Sequence, residues 1–209
     1  MSPDARTAPF EVLVVCTGNI ARSPMAQRLL QARLAHDPSI RVGSAGTWGL
    51  QDVPMDRHAA TALAEVGVDE GGFRSRPLTA DLVRASALLL TATREHRVAV
   101  LTHDPAALRR TFTLREFARL VEVVDGVPGR PGYVWRTPDA LVAAAADARG
   151  RVRVAPSEDD VADPHGGPLP AFRACRDLLA ATLDVVAPSL AAGHAPVDQD
   201  GAGPGPGLQ

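Results

Sequence analysis

The residues best suited to chemistry lie close together near the start of the chain, in the run CTGNIARSP at positions 16–24. A short β-branched run at 11–15 precedes them and an amphipathic stretch follows, so we expect a loop between a buried strand and a helix. A loop that curls at a helix N-terminus can turn backbone N–H groups inward and bind an anion. Gly18 is expected to supply the backbone freedom for that curl.

Three side chains of this loop suggest a covalent phosphoryl transfer. The same N–H groups and helix dipole favour the thiolate form of Cys16, which is the nucleophilic form. Arg22, six residues on, has a planar guanidinium that can hold two phosphate oxygens through the transition state. Ser23 can donate a hydrogen bond to the sulfur and make it a better leaving group. The alternative is an inert cysteine at the end of a buried strand.

The rest of the chain predicts the elements that hold this loop. Buried runs predict strands at 11–15, 40–44, 87–91 and 110–114. Apolar spacing predicts helices after 23, at 56–66, 94–101, 139–148 and 168–190, and one through Phe117 and Leu120. Strands that alternate with helices predict an α/β fold, with a four-stranded parallel sheet flanked by helices on both faces in a Rossmann-like three-layer arrangement. Ligands of such sheets bind at the carboxyl ends of strands, where the Cys16 loop lies.

Composition limits the class of protein. The 209 residues suit one domain, which we place at 10–190, with a disordered N-terminus at 1–9 and a disordered Gly/Pro tail at 191–209. We expect the long connection at 126–150 to be a solvated insertion, with a lid or partner surface as the alternative. A net charge of -2 gives no sign of nucleic-acid or membrane binding, and two cysteines favour a reducing cytoplasm.

Four segments of the sequence resemble the bacterial low-molecular-weight protein tyrosine phosphatases. The family loop reads Cys-x-Gly-Asn-x-Cys-Arg-Ser-Pro, which the chain matches except at Ala21. Ser-Ala-Gly-Thr at 44–47, Arg-Ser-Arg at 74–76 and Asp-Val-Ala-Asp-Pro at 160–164 fit further family elements in the right order. The resemblance spans residues 11–187.

The resemblance implies a set of roles. Cys16 would be the nucleophile, Arg22 would bind phosphate and Asp163 would be the general acid and base, with Asp159 and Asp160 as nearby alternatives. Like-charge repulsion from Asp160 would favour a proton on Asp163. The expected phosphate-binding and supporting residues are Thr17, Gly18, Asn19, Ile20, Ala21, Ser23 and Ser44, with Asn19 and Ser44 bonded to each other. No cofactor and no metal are expected.

Several positions depart from the family pattern. Ala21 replaces a second cysteine that can protect the nucleophile from overoxidation, and Cys175 is expected to be a core residue. Phe73 stands where the family often has a histidine that joins the loop's hydrogen bonds. His165 stands where aromatic residues usually form the pocket wall. We expect Trp48 and His165 to line the substrate pocket.

These departures bear on the substrate. Ile20 resembles the Ile or Val that is typical of the family's phosphotyrosine enzymes. Family members that act on phosphoarginine have a Thr in this position. We expect a phosphotyrosine protein, or a small aryl or sugar phosphate, as substrate and favour a monomer. The alternatives are an arsenate reductase, which the missing cysteines oppose, and a non-catalytic module that binds phospho-ligands.

Overall fold

The computed structural model describes residues 8–125, 137–152 and 154–192. Within them a parallel sheet has the strand order β2-β1-β3-β4. The strands are β1 (Phe10–Cys16), β2 (Ile40–Gly46), β3 (Leu88–Thr91) and β4 (Thr111–Thr113). The predicted fold class is confirmed, and every predicted strand is found within two residues of its expected bounds.

Helices cover both faces of this sheet. They are α1 (Arg22–Arg33), α2 (Arg57–Ala64), α3 (Ala80–Ala85), α4 (Arg94–His103), α5 (Leu114–Asp125), α6 (Pro138–Ala148) and α7 (Leu169–Ala192), with 3₁₀ turns at Pro105–Arg110 and Pro156–Glu158. The sequence analysis missed α3. This helix has six residues, too few for an apolar period to show, and begins where the Thr79 hydroxyl accepts from the Leu82 N–H.

The alternation of side chains along β1 divides the core in two. Val12, Val14 and Cys16 face the larger core, which α1, α2, α5, α6 and α7 complete. Leu13 and Val15 face the smaller core under α3 and α4. Each fully buried side chain of this size contributes about 1.5–3 kcal/mol to folding. Cys16 is therefore fixed in direction by the same burial that holds the strand.

The connection at 126–150 is not a solvated insertion in the part that the structure describes. In α6, Leu141, Val142 and Ala145 are buried in the larger core. Arg149 donates from Nε to the Glu116 carboxylate at 3.0 Å and lies over the Phe112 ring. Small alanines let α6 approach the core closely, which the sequence analysis did not weigh. Residues 126–136, and the termini at 1–7 and 193–209, lie outside the described residues.

Cys16 is the last residue of the central strand. β1 pairs with β2 on one side and with β3 on the other, so the chain order reverses beside β1. Crevices at the carboxyl ends of parallel strands form at such reversals. The fold thus places the predicted loop where an α/β sheet binds its ligand.

Candidate active site

The loop between Cys16 and Arg22 is held against the end of β2. The Thr47 and Trp48 N–H groups donate to the carbonyls of Cys16 and Thr17 at 2.9 and 3.0 Å. A Cβ on Gly46 would lie 2.5 Å from the Thr17 carbonyl oxygen, so glycine is required for this close approach. Among the described residues, no side chain caps the first turn of α1, which leaves its N–H groups for an anion.

Asn19 is the centre of the loop's internal bracing. Its Nδ2 donates to the hydroxyls of Ser23 and Ser44 at 2.9 and 2.8 Å, and its Oδ1 accepts from the Arg76 N–H at 2.9 Å. Ser44 in turn donates to Oε1 of Gln27 at 2.6 Å. The expected contact between Asn19 and Ser44 is present, and Gln27 extends it.

The backbone bend falls on a different residue from the one expected. Asn19 has a φ of 54°, whereas Gly18 is not among the residues with positive φ. Asparagine tolerates this left-handed conformation better than most residues, because its short polar side chain can bond locally. The prediction for Gly18 is wrong on this point, and the curl depends on Asn19 instead.

The hydrogen bonds around Cys16 indicate which group donates to its sulfur. Its Sγ lies 2.9 Å from the Ser23 hydroxyl oxygen. That oxygen already accepts from Asn19, so its own hydrogen is available to the sulfur. A thiolate can only accept, and Ser23 is then the donor. Asn19 therefore orients Ser23 toward the nucleophile.

Arg22 and Asp163 form an ion pair beside the thiol. Nη2 of Arg22 lies 2.6 Å from Oδ2 of Asp163, and its Nη1 donates to the Val161 carbonyl at 3.3 Å. Val161 is itself held by its N–H, which donates to Ala92 at 2.8 Å. The Arg22 Nε is buried and has no hydrogen-bond partner among the described residues. A phosphoryl oxygen is an acceptor that fits this unsatisfied donor.

The neighbouring acids are engaged elsewhere. Asp160 accepts from the Arg94 N–H at 2.8 Å at the start of α4, and Asp159 pairs with Arg119. Asp163 instead accepts from Arg22, and its second oxygen accepts from the His165 N–H at 3.2 Å. Of the three acids, Asp163 is the one that lies against Arg22 of the Cys16 loop.

A cavity of about 270 Å³ opens above the loop. It is lined by Cys16, Thr17, Gly18, Ile20, Ala21, Arg22, Trp48, Leu50, Asp163 and His165. The predicted wall residues Trp48 and His165 are both present, and the sequence analysis missed Leu50. Trp48 is 83% exposed, and the His165 ring lies 3.5 Å from the Asp56 carboxylate. Phe73 packs in the larger core and does not line this cavity.

His96 is a second residue that the sequence analysis missed. Its Nε2 lies 2.9 Å from the Thr17 hydroxyl, and its Nδ1 lies 2.7 Å from the Thr93 hydroxyl. Burial, together with the nearby Arg22 charge, lowers the pKa of His96 to about 4, so the ring is neutral at physiological pH. Its position shortly after β3 was a usable signal, because the carboxyl ends of neighbouring strands share one edge.

The second cysteine does not belong to the reacting group. Cys175, on α7, is a core residue as predicted. Burial raises the pKa of its thiol to about 12, which keeps it protonated and unreactive. Ala21, in the position of the family's second cysteine, is also buried.

Comparison with known proteins identifies the class. The family described as "Low molecular weight phosphotyrosine protein phosphatase" matches residues 11–126. A "Protein-arginine-phosphatase" of Geobacillus stearothermophilus is 31% identical over 182 residues, which are 87% of this chain and 97% of that protein. "Low molecular weight protein-tyrosine-phosphatase Etp" of Escherichia coli K12 is 40% identical over 114 residues, or 54% and 75% of the two chains.

A solved structure agrees with these sequence matches. The "YwlE arginine phosphatase from Geobacillus stearothermophilus" superposes with a TM-score of 0.63 at 30% identity, over 87% of this chain and 93% of that one. The chain belongs to the low molecular weight phosphotyrosine protein phosphatase family and is a cysteine-dependent phosphatase. Among the described helices, none has the length and apolar run needed to span a membrane.

Proposed function

We propose that the chain is a protein-tyrosine phosphatase in which Cys16 forms the phosphoenzyme, Arg22 binds the phosphoryl oxygens and Asp163 transfers the proton. The observation that carries this assignment is the convergence of the loop from Cys16 to Arg22 with a segment far along the chain that carries Asp163. Arg22 lies 2.6 Å from Asp163, which is 141 residues further along the chain, and both line one cavity with Cys16. A nucleophile, a phosphate ligand and a carboxyl group are the parts that a metal-independent phosphoryl transfer needs.

In the first step, the Cys16 sulfur attacks phosphorus. An S–P bond forms, the bond from phosphorus to the leaving oxygen breaks, and the Asp163 carboxyl gives its proton to that oxygen. A phosphoryl group bound to Arg22 competes with Asp163 for the guanidinium nitrogen Nη2. Release of this partner, and the nearby phosphoryl dianion, both favour the protonated carboxyl that the step requires.

In the second step, water attacks phosphorus and gives a proton to the Asp163 carboxylate. The S–P bond breaks and the sulfur leaves as a thiolate. Ser23 donates a hydrogen bond to this sulfur across the 2.9 Å contact and stabilises the charge that develops on it. The products are inorganic phosphate and the enzyme ready for another turnover.

The first test is hydrolysis of p-nitrophenyl phosphate. Cys16→Ser should lower kcat on the order of 10⁴-fold or more. Cys175→Ser is the matched control and should stay within about threefold, since that thiol does not line the active-site cavity and burial raises its pKa, which keeps it protonated. Vanadate should inhibit and EDTA should have no effect. Activity that survives in Cys16→Ser, or that EDTA removes, would overturn the mechanism.

The substrate class is a finer proposal, supported by the cavity mouth. Ile20, Trp48 and Leu50 give apolar surface on which an aryl ring can lie. The guanidinium of a phosphoarginine would instead need hydrogen-bond acceptors at the cavity mouth. The arginine phosphatases among the relatives make phosphoarginine the second candidate. A phosphotyrosine peptide and a phosphoarginine peptide should be compared by kcat/KM. A higher value for the phosphoarginine peptide would reject the tyrosine assignment.

The arsenate reductase alternative has little support. A thiol relay needs a second reactive cysteine, and the chain's only other cysteine is the buried Cys175, with its raised pKa. Turnover of an aryl phosphate without any added thiol separates the two activities.

A further inference from the structure

The Thr17 hydroxyl connects the phosphate-binding arginine to a buried histidine. Nη2 of Arg22 donates to Thr17 Oγ1 at 3.1 Å, and the same oxygen lies 2.9 Å from His96 Nε2. The same Nη2 also donates to Asp163. One hydroxyl therefore contacts the guanidinium nitrogen on which both phosphate binding and the acid depend.

His96 is held rigidly on its far side. Its Nδ1 lies 2.7 Å from the Thr93 hydroxyl, which also accepts from the His96 backbone N–H and begins α4. The side chain is 6% exposed. Both ring nitrogens are occupied, so the ring cannot turn without breaking two partly buried bonds. Leaving a polar group of a buried side chain unsatisfied costs about 1–3 kcal/mol.

The electrostatic surroundings select a neutral ring. Arg22 faces His96 from α1, while Asp160 and Asp163 face it from the segment before α7. A neutral imidazole offers one donor and one acceptor, so it can bond both hydroxyls without placing a second cation beside Arg22. Either tautomer satisfies the two threonines.

We propose that His96 is a positioning residue of the phosphatase reaction, which acts through Thr17 to hold the Arg22 guanidinium in the orientation that binds the phosphoryl group. This inference rests on the proposed roles of Cys16 and Arg22 and adds a fixed support behind them. His96 does not line the cavity, so it does not touch the substrate. A small displacement of a group that orients substrate is enough to cost up to about 10²-fold in rate.

Two amide substitutions separate positioning from simple packing. A glutamine amide reaches the place of Nε2 and can keep the bond to Thr17, whereas an asparagine amide reaches only the place of Nδ1 and keeps the bond to Thr93. We expect His96→Gln to retain kcat/KM within about fivefold and His96→Asn to lose about 10- to 100-fold. A packing role alone predicts similar losses, since both variants remove ring volume.

A double-mutant cycle tests the connection to Thr17. Thr17→Val should lose at least as much as His96→Asn, because it removes the acceptor of Arg22 as well as the contact with His96. The double variant should lose little more than Thr17→Val alone. Additive losses, or equal activity of the asparagine and glutamine variants, would overturn the inference. Thermal unfolding of each variant identifies any loss that is due to misfolding.

Orthophosphate affinity, measured by calorimetry, gives a readout without turnover. It should weaken in His96→Asn and Thr17→Val but not in His96→Gln. If the unmodified protein fails to hydrolyse aryl phosphates while this pattern holds, the proposed function fails and the positioning role stands. If hydrolysis is normal and phosphate affinity is unchanged in His96→Asn, only the positioning role fails.

Discussion

The active-site cavity has a floor and a rim that are built in different ways. What we call the floor is Cys16 and Arg22, which line the cavity, together with the bracing residues Asn19, Ser23 and Ser44, and all five are buried. The rim consists of Ile20, Trp48, Leu50 and His165, all of them partly or largely exposed. In the floor, side-chain hydrogen bonds link Cys16 to Ser23, Ser23 to Asn19 and Asn19 to Ser44. The exposed Trp48 takes no part in such a network.

This difference separates chemistry from selection of substrate. A buried network with its polar groups satisfied has one stable arrangement, because breaking any hydrogen bond leaves a donor or acceptor without a partner. Exposed side chains keep their rotamer freedom until a ligand orders them. The floor therefore fixes how a phosphoryl group is handled, and the rim influences which phosphoester is held there.

Asp163 lies between floor and rim, and its replacement should have the largest effect. Asp163→Asn keeps an oxygen for Arg22 and removes the proton donor, so kcat for phenyl phosphate should fall about 10²- to 10⁴-fold. The loss should be smaller for p-nitrophenyl phosphate, whose leaving oxygen needs less protonation. Steady-state kinetics on both substrates measures this. Equal losses on both would show that Asp163 acts only by holding Arg22.

Ser44→Ala tests whether the floor behaves as a connected network. The substitution removes an acceptor from Asn19 and the donor to Gln27, so we expect the free energy of unfolding to fall by about 1–3 kcal/mol. Asn19 keeps its bonds to Ser23 and Arg76, so kcat should fall by less than about tenfold. Urea denaturation and steady-state kinetics check both.

The control for that experiment is Thr61→Ala on α2, which removes an exposed hydroxyl bonded to the Arg57 carbonyl. Its stability should change by less than about 0.5 kcal/mol. If Ser44→Ala behaves like this control, the bracing of Asn19 contributes little and the floor is not a connected network.

The two regions also differed in how far the sequence could predict them. The floor was predictable because Cys16, Arg22 and Ser23 lie within one short loop whose neighbours dictate a strand and a helix. Its outer supports were harder to predict. The position of His96 after β3 was a signal, but its contact with Thr17, like that of Gln27 with Ser44, depends on the packing of α4 and α1. The positive φ at Asn19, and the burial of α6, likewise depend on tertiary contacts that no local pattern shows.

The buried His96, behind the floor, should make the protein less stable at low pH. The pKa of His96 is lowered from 6.5 to about 4 in the folded protein, so the unfolded chain binds a proton first as pH falls. The free energy of unfolding should therefore decrease as the pH falls from 6.5 to 4. Below pH 4 the decrease that is due to His96 should be complete. Urea midpoints across that range should fall more steeply for the unmodified protein than for His96→Asn. Parallel slopes would contradict a neutral, buried His96.

Trp48 should give the smallest effect and the clearest separation of rim from floor. With 83% of its surface exposed, the side chain has little to lose in the free protein, so Trp48→Ala should leave stability within about 0.5 kcal/mol. An aryl ring that stacks on the indole gains about 0.5–1.5 kcal/mol, so KM should rise about two- to tenfold, with kcat nearly unchanged. Trp48→Phe should recover most of that affinity. The inhibition constant of orthophosphate should not move, because phosphate contacts only the floor. If it rises as much as KM does, the Trp48 side chain also helps to hold the phosphate-binding loop, and the division between floor and rim fails at this residue.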